Sequence, residues 1–257
     1  MTDTAPRDPA FDLASYQALP SQSPYVSHER YENPKESFRF VAAKLAELTA
    51  DDGPDRTRHV ADVGCANGEL LYHLRTRFPH WRYTGYDLTP EFIAAGRAYP
   101  PMAGIELHVS DMYAIDARQA FDVVTFINVL TLLPGEPETP LLQLLSLVKP
   151  GGLLLVDGMF NPYDIEFRAV LMDNSRPESA GKWRPEYAQH SQRTIARILD
   201  GRCRSFTFDP IPMPIELPRK PGAPAANVWT FKDEHGRNII TNGTFMMMEK
   251  TLLTVQV

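Results

Sequence analysis

From residue 59 the chain alternates short apolar runs with amphipathic ones, and that rhythm limits the fold more than any other feature. Residues 59–63 read as a buried strand, and 67–78 as a helix with Leu70, Leu71, Leu74 and Phe78 on one face. Residues 81–87 read as a second strand, followed by a helix that Thr89-Pro90-Glu91 opens. Further strands are predicted at 105–110, 121–128 and 153–157. Between the last two lies a Leu-rich helix that starts at Thr139-Pro140 and ends near Lys149-Pro150-Gly151-Gly152. Strands taking turns with helices imply an α/β fold, a parallel sheet with helices on both faces.

The flanks read differently. Pro6, Pro9, Pro20 and Pro24 among small polar residues suggest an irregular N-terminal arm over 1–32. Residues 33–257 read as a single domain, with its core at 59–160 and a cap, insertion and C-terminal strands at 161–257; the length and 43% hydrophobic content allow one large core. Asn33 as a cap, Pro34 at the first helical position and Glu36 closing a capping box predict an N-terminal helical extension carrying Phe38, Val41, Leu45 and Leu48. Residues 161–189 read as a long polar and aromatic insertion. Ser191 is expected to cap a helix stopped at Gly201. Strands at 205–209, 229–233, 237–241 and 251–257 form a C-terminal antiparallel β elaboration, with a hairpin turn at Glu234-His235-Gly236.

Charge and cysteine content set the surroundings. Lys plus Arg is 26 against 32 Asp plus Glu, a net charge of -6, which weighs against a nucleic-acid partner. Cys65 and Cys203 are distant and form no metal-spacing pair, so lone thiols in a cytoplasmic location are expected, with no metal. The first twelve residues lack an apolar leader segment, and the most apolar run, 121–133, is too short to span a membrane.

The candidate site is the loop Asp62-Val63-Gly64-Cys65-Ala66-Asn67-Gly68. A small residue recurs at every second position, which lets backbone approach a ligand where a side chain would collide. Two cofactor classes compete with an ordinary strand-to-helix turn. A dinucleotide loop wants glycine at the sixth position from Gly64. Glu69 stands there instead, and its carboxylate would repel a pyrophosphate at a helix N-terminus. S-adenosylmethionine has no phosphate and tolerates it. Asp87 ends the next strand, where an acid can accept both ribose hydroxyls; it can equally cap the following helix. Asp111 ends the third strand and can take an adenine amino group with Met112 on the ring, or act as a plain turn residue.

In order and spacing, 60–70, 83–87, 109–112, 121–129 and 147–157 resemble the successive motifs of class I S-adenosylmethionine-dependent methyltransferases, with Ala66 replacing the usual middle glycine. The resemblance implies their Rossmann-like sheet. It also implies Asp62 near the methionine amino group, Gly64, Cys65, Ala66 and Gly68 against the cofactor, and Asp87 with Leu88 at the ribose. Asp111 and Met112 would lie at the adenine, and Asn128 would face the sulfonium and substrate. From residue 160 onward the chain loosely resembles methyltransferases of sugar and polysaccharide biosynthesis.

Methyl transfer needs alignment, and for a hydroxyl or ammonium also a base. His190 and Asp157 are the base candidates, weighed against a packing histidine and a carboxylate that holds a loop amide. Asp164 and Glu166 read as rim charges. Tyr163, Trp183 and His190 are candidates for substrate contact, although aromatics in an insertion more often build its own small core. In the stretch with Tyr25, His28, Arg30 and Tyr31, Arg30 is a candidate partner for the cofactor carboxylate. Met246-Met247-Met248 reads as a strand start or a homodimer contact. The expected activity is methylation of an oxygen or nitrogen on a small metabolite of sugar or natural-product type. The alternatives are a cofactor-binding regulator or scaffold, and a protein or RNA methyltransferase.

Overall fold

The computed structural model describes residues 29–53, 56–133, 135–174, 180–219 and 228–257. Most of the expected arm, with Tyr25 and His28, lies outside them. The chain begins with two helices, α1 (Glu29–Glu32) and α2 (Glu36–Leu48). The alternating region follows as β1 (His59–Val63), α3 (Glu69–Arg77), β2 (Arg82–Asp87), α4 (Pro90–Ala98), β3 (Glu106–Val109), β4 (Phe121–Phe126), α5 (Glu138–Leu147) and β5 (Val148–Gly158). Then come β6 (Phe160–Asn161), β7 (Phe167–Leu171), β8 (Arg184–Ser191), α6 (Gln192–Leu199), β9 (Ser205–Pro210), β10 (Trp229–Lys232), β11 (Asn238–Thr241) and β12 (Thr251–Gln256).

The main sheet has seven strands in the order β3-β2-β1-β4-β5-β12-β9. The pairs among β1 to β5 are parallel, and β12 runs antiparallel to both neighbours. Side chains alternate across the strands and build a core on each face. Val60, Val123, Leu153, Leu155 and Leu252 meet Phe38, Val41, Leu45, Leu71 and Ile93 on one face. Leu154, Val156, Leu253 and Val255 meet Leu141, Leu144, Ile195 and Leu199 on the other. This is the Rossmann-like α/β sheet expected from the sequence. The chain order reverses between β1 and β4, and open α/β sheets bind ligands beyond the strand ends at such a point.

Four expectations change. The capping box at Asn33 does not form: Asn33 N donates to Glu29 O and closes α1, and α2 starts at Glu36 without a side-chain cap. The insertion is not without strands, since β7 and β8 form an antiparallel ribbon and β6 joins β8 in parallel. The fifth strand begins five residues early, at Val148, which pairs with Phe121 ahead of a register shift. The C-terminal strands divide: β10 and β11 form a separate hairpin, and β12 enters the main sheet. Ser191 caps α6 as expected, its Oγ accepting from Arg193 N at 3.1 Å.

Candidate active site at the strand ends

The loop after β1 turns because three residues adopt left-handed backbone. Gly64 has φ +75°, Ala66 +49° and Gly68 +88°. Gly64 N and Cys65 N both donate to Tyr86 O, at 2.7 and 3.0 Å, which pins the loop to β2. A Cβ on Gly64 would fall 2.5 Å from Val129 Cγ2 after β4. The Cys65 side chain turns inward against Gly85, and burial pushes its thiol up, so it packs and does not react.

Asp87 orients the loop from the neighbouring strand. Its Oδ2 accepts from Ala66 N and its Oδ1 from Thr89 N, both at 2.8 Å. Burial raises its carboxyl, and these backbone amides oppose the rise. Asp87 thus stands as a hydrogen-bonded carboxylate at the end of β2, beside the loop. Leu88 follows, half-buried. Asp62 is buried in β1 opposite its register partner Thr125, whose Oγ1 donates to Asp62 Oδ1 at 2.7 Å. Burial lifts the Asp62 carboxyl to about 7 against that bond. Asp111 Oδ1 accepts from Tyr113 N at 3.0 Å and starts a short helical turn, while Met112 beside it is half-buried against the core.

Asn128, just after β4, also has left-handed backbone, φ +63°. Its N–H donates to Asp157 Oδ1 at 2.5 Å, and its Oδ1 accepts from Lys250 Nζ. Its Nδ2 is buried and lacks a partner among the described residues. An unmet buried donor costs about 1–3 kcal/mol unless water or a ligand meets it. The pinned small-residue loop beside Asp87 fits S-adenosylmethionine, which needs close approach of the backbone.

Several predicted residues do other work. Asp157 is 1% exposed with both oxygens taken, by Asn128 N and Lys250 Nζ, so it is a holder and not an open base. His190 is buried, with Nδ1 3.1 Å from Glu166 Oε2 and its backbone N–H donating to Met159 O. Burial lowers its imidazole, and Glu166 opposes this. It fastens the insertion beyond β5. Glu166 also accepts from Ser191 N at 2.9 Å, so it serves the same fastening and is more than a rim charge. Arg30 Nη1 lies 3.9 Å from Glu69 Oε2, so the guanidinium faces that carboxylate. Tyr163 and Trp183 are 71% and 67% exposed, and they neither form a core for the insertion nor close a pocket. Of the methionine run, Met248 packs inward and Met247 is exposed.

Sequence reasoning missed Lys250 and Thr125. Tyr31, noted only for its position, donates to Asn67 O at 2.6 Å and ties α1 to the loop. A surface cleft of about 530 Å³ lies beside β10 and β11, lined in part by Arg219 and Trp229, and none of the candidate residues lines it. Among the described residues no cluster of side chains could hold a metal, and no helix is long and apolar enough to cross a membrane.

Sheet order, pinned loop and strand-end carboxylates together are similar to those of class I S-adenosylmethionine-dependent methyltransferase domains. Residues 61–154 match a family model described as a methyltransferase domain. A trans-aconitate 2-methyltransferase of Escherichia coli is 31% identical over 153 residues, 57% of this chain and 59% of the relative. The match thus spans less than two thirds of that relative's length. Two solved structures with bound S-adenosylmethionine share the fold at 16% identity. CalS10, an amino pentose methyltransferase from Micromonospora echinaspora, aligns with a TM-score of 0.52 over 89% of this chain and 94% of its own. Magnesium protoporphyrin IX methyltransferase from Synechocystis aligns with 0.50 over 86% and 80%.

Proposed function

We propose that the chain transfers a methyl group from S-adenosylmethionine to an oxygen or nitrogen of a small metabolite. One observation carries this: a glycine loop oriented by Asp87 lies beside an unmet amide donor on Asn128, at the ends of the adjacent strands β1 and β4. When bound, the cofactor supplies a methyl group on a sulfonium. The residues of the chain bind and align. Asp87 accepts from the ribose, Asp62 faces the methionine amino group, Asp111 and Met112 border the adenine, and Asn128 stands at the reacting end. The relatives' names support the size of the acceptor, trans-aconitate in one and an amino pentose in another. The net charge of -6 disfavours RNA.

Titration calorimetry with S-adenosylmethionine tests the cofactor assignment, and absence of binding overturns it. Asp87→Ala is expected to weaken binding about tenfold or more, and Asp164→Ala to leave it within about twofold. Equal effects would remove the ribose assignment. Binding without release of S-adenosylhomocysteine across a broad metabolite pool would point to a cofactor-binding regulator instead.

A further inference from the structure

Lys250, just before β12, has no part in binding the cofactor as described above, yet it lies at the same strand ends. Its Nζ donates to Asp157 Oδ2 at 3.3 Å and to Asn128 Oδ1. An ammonium has three N–H donors, so one remains after these two bonds, on a side chain 30% exposed. The bond to Asn128 Oδ1 also settles the orientation of that amide and leaves Nδ2 as its unmet donor. Both oxygens of Asp157 are taken, and His190 Nδ1 is tied to Glu166, which leaves Nε2 as that ring's second nitrogen. Lys250 and Asn128 therefore offer two spare donors with no spare carboxylate oxygen on Asp157 beside them.

That imbalance suits a nucleophile that is anionic before it arrives. Resting on the methyltransferase assignment, we propose that Lys250 selects the methyl acceptor, a small molecule bearing a carboxylate, which binds the remaining ammonium N–H with Asn128 Nδ2 as second donor and is methylated on a carboxylate oxygen. The step balances without a base. A carboxylate lone pair forms the new O–CH3 bond, the S–CH3 bond breaks, and its electron pair stays on sulfur. The products are a methyl ester and the neutral thioether S-adenosylhomocysteine, and no proton moves.

Calorimetry on the full chain saturated with S-adenosylhomocysteine tests this with trans-aconitate and benzoate as carboxylate probes and trimethyl trans-aconitate as the neutral counterpart. At least one acid is expected to bind, and the ester is not. Lys250→Met is expected to lose about tenfold or more in affinity for that acid while S-adenosylhomocysteine affinity stays within about threefold. Lys250→Arg keeps the charge beside Asp157 and is expected to retain acid binding within about tenfold, which separates a lost contact from a lost fold. Equal binding of acid and ester, unchanged acid affinity in Lys250→Met, or no binding of either acid would overturn the proposal. A chain that takes up no S-adenosylhomocysteine fails before any acid is added and overturns the methyltransferase assignment as well.

Discussion

Asp62 shows how one residue ties the site to the stability of the sheet. Burial raises its carboxyl to about 7, whereas an unfolded Asp titrates near 4. Between about pH 4 and about pH 7 the folded chain therefore binds more protons than the unfolded one. Asp62 makes stability fall as pH rises through that window and level off above it. Asp87 is raised by burial too and acts in the same direction. In urea denaturation of the cofactor-free protein at about pH 5 and about pH 8, Asp62→Asn is expected to lose less stability on going to high pH than the parent. An equal loss in the two proteins would show that Asp62 is not the source. The loop residues and Asp87 were legible in the sequence, because each sits within a short motif. Thr125 and Lys250 were not. Thr125 meets Asp62 across 63 residues, and Lys250 meets Asp157 across 93, so no local spacing announces either contact.

Among elements, the tightest junction is that of the cofactor loop with α4. A Cβ on Gly96 would lie 2.3 Å from Asn67 O, and a backbone oxygen has little room to retreat. Gly96→Ala is therefore expected to cost about 1–3 kcal/mol in chemical denaturation and to weaken S-adenosylmethionine binding through the displaced loop. A variant as stable as the parent would mean that α4 shifts freely. Periodicity located the helices and parallel strands to within a few residues, since each buries one face on the sheet. It failed over 161–189, where β7 is largely exposed and its strand state comes from pairing with β8. The start of α2 was misjudged for a related reason: Asn33 resembles a cap, but its amide was already committed to α1.

Across the whole molecule, β12 joins the two halves of the fold. It lies between β5 and β9 and contributes Leu252 to one core face and Leu253 and Val255 to the other. Removing residues 251–257 would open the edge of β5 and leave β9 without its neighbour in the sheet. The truncated chain is expected to lose cooperative unfolding, as followed by near-ultraviolet circular dichroism. Sharp unfolding near the parent midpoint would show that the parallel strands are sufficient alone. The alternating rhythm made the parallel strands legible as a sheet. It did not reveal that a strand near residue 251 would enter between residues 153 and 205, because that register is set by pairing over long distances.

The place of β12 also bears on the order in which the protein is made. On the ribosome β9 emerges some forty residues ahead of the strand it pairs with, a delay of several seconds at about 5–20 residues per second. Throughout that interval the emerged chain has its loop after β1 and its Asp87, while Lys250 has yet to leave the ribosome. The loop and Asp87 can thus assemble before Lys250 emerges, and the proposed acceptor contact waits for it.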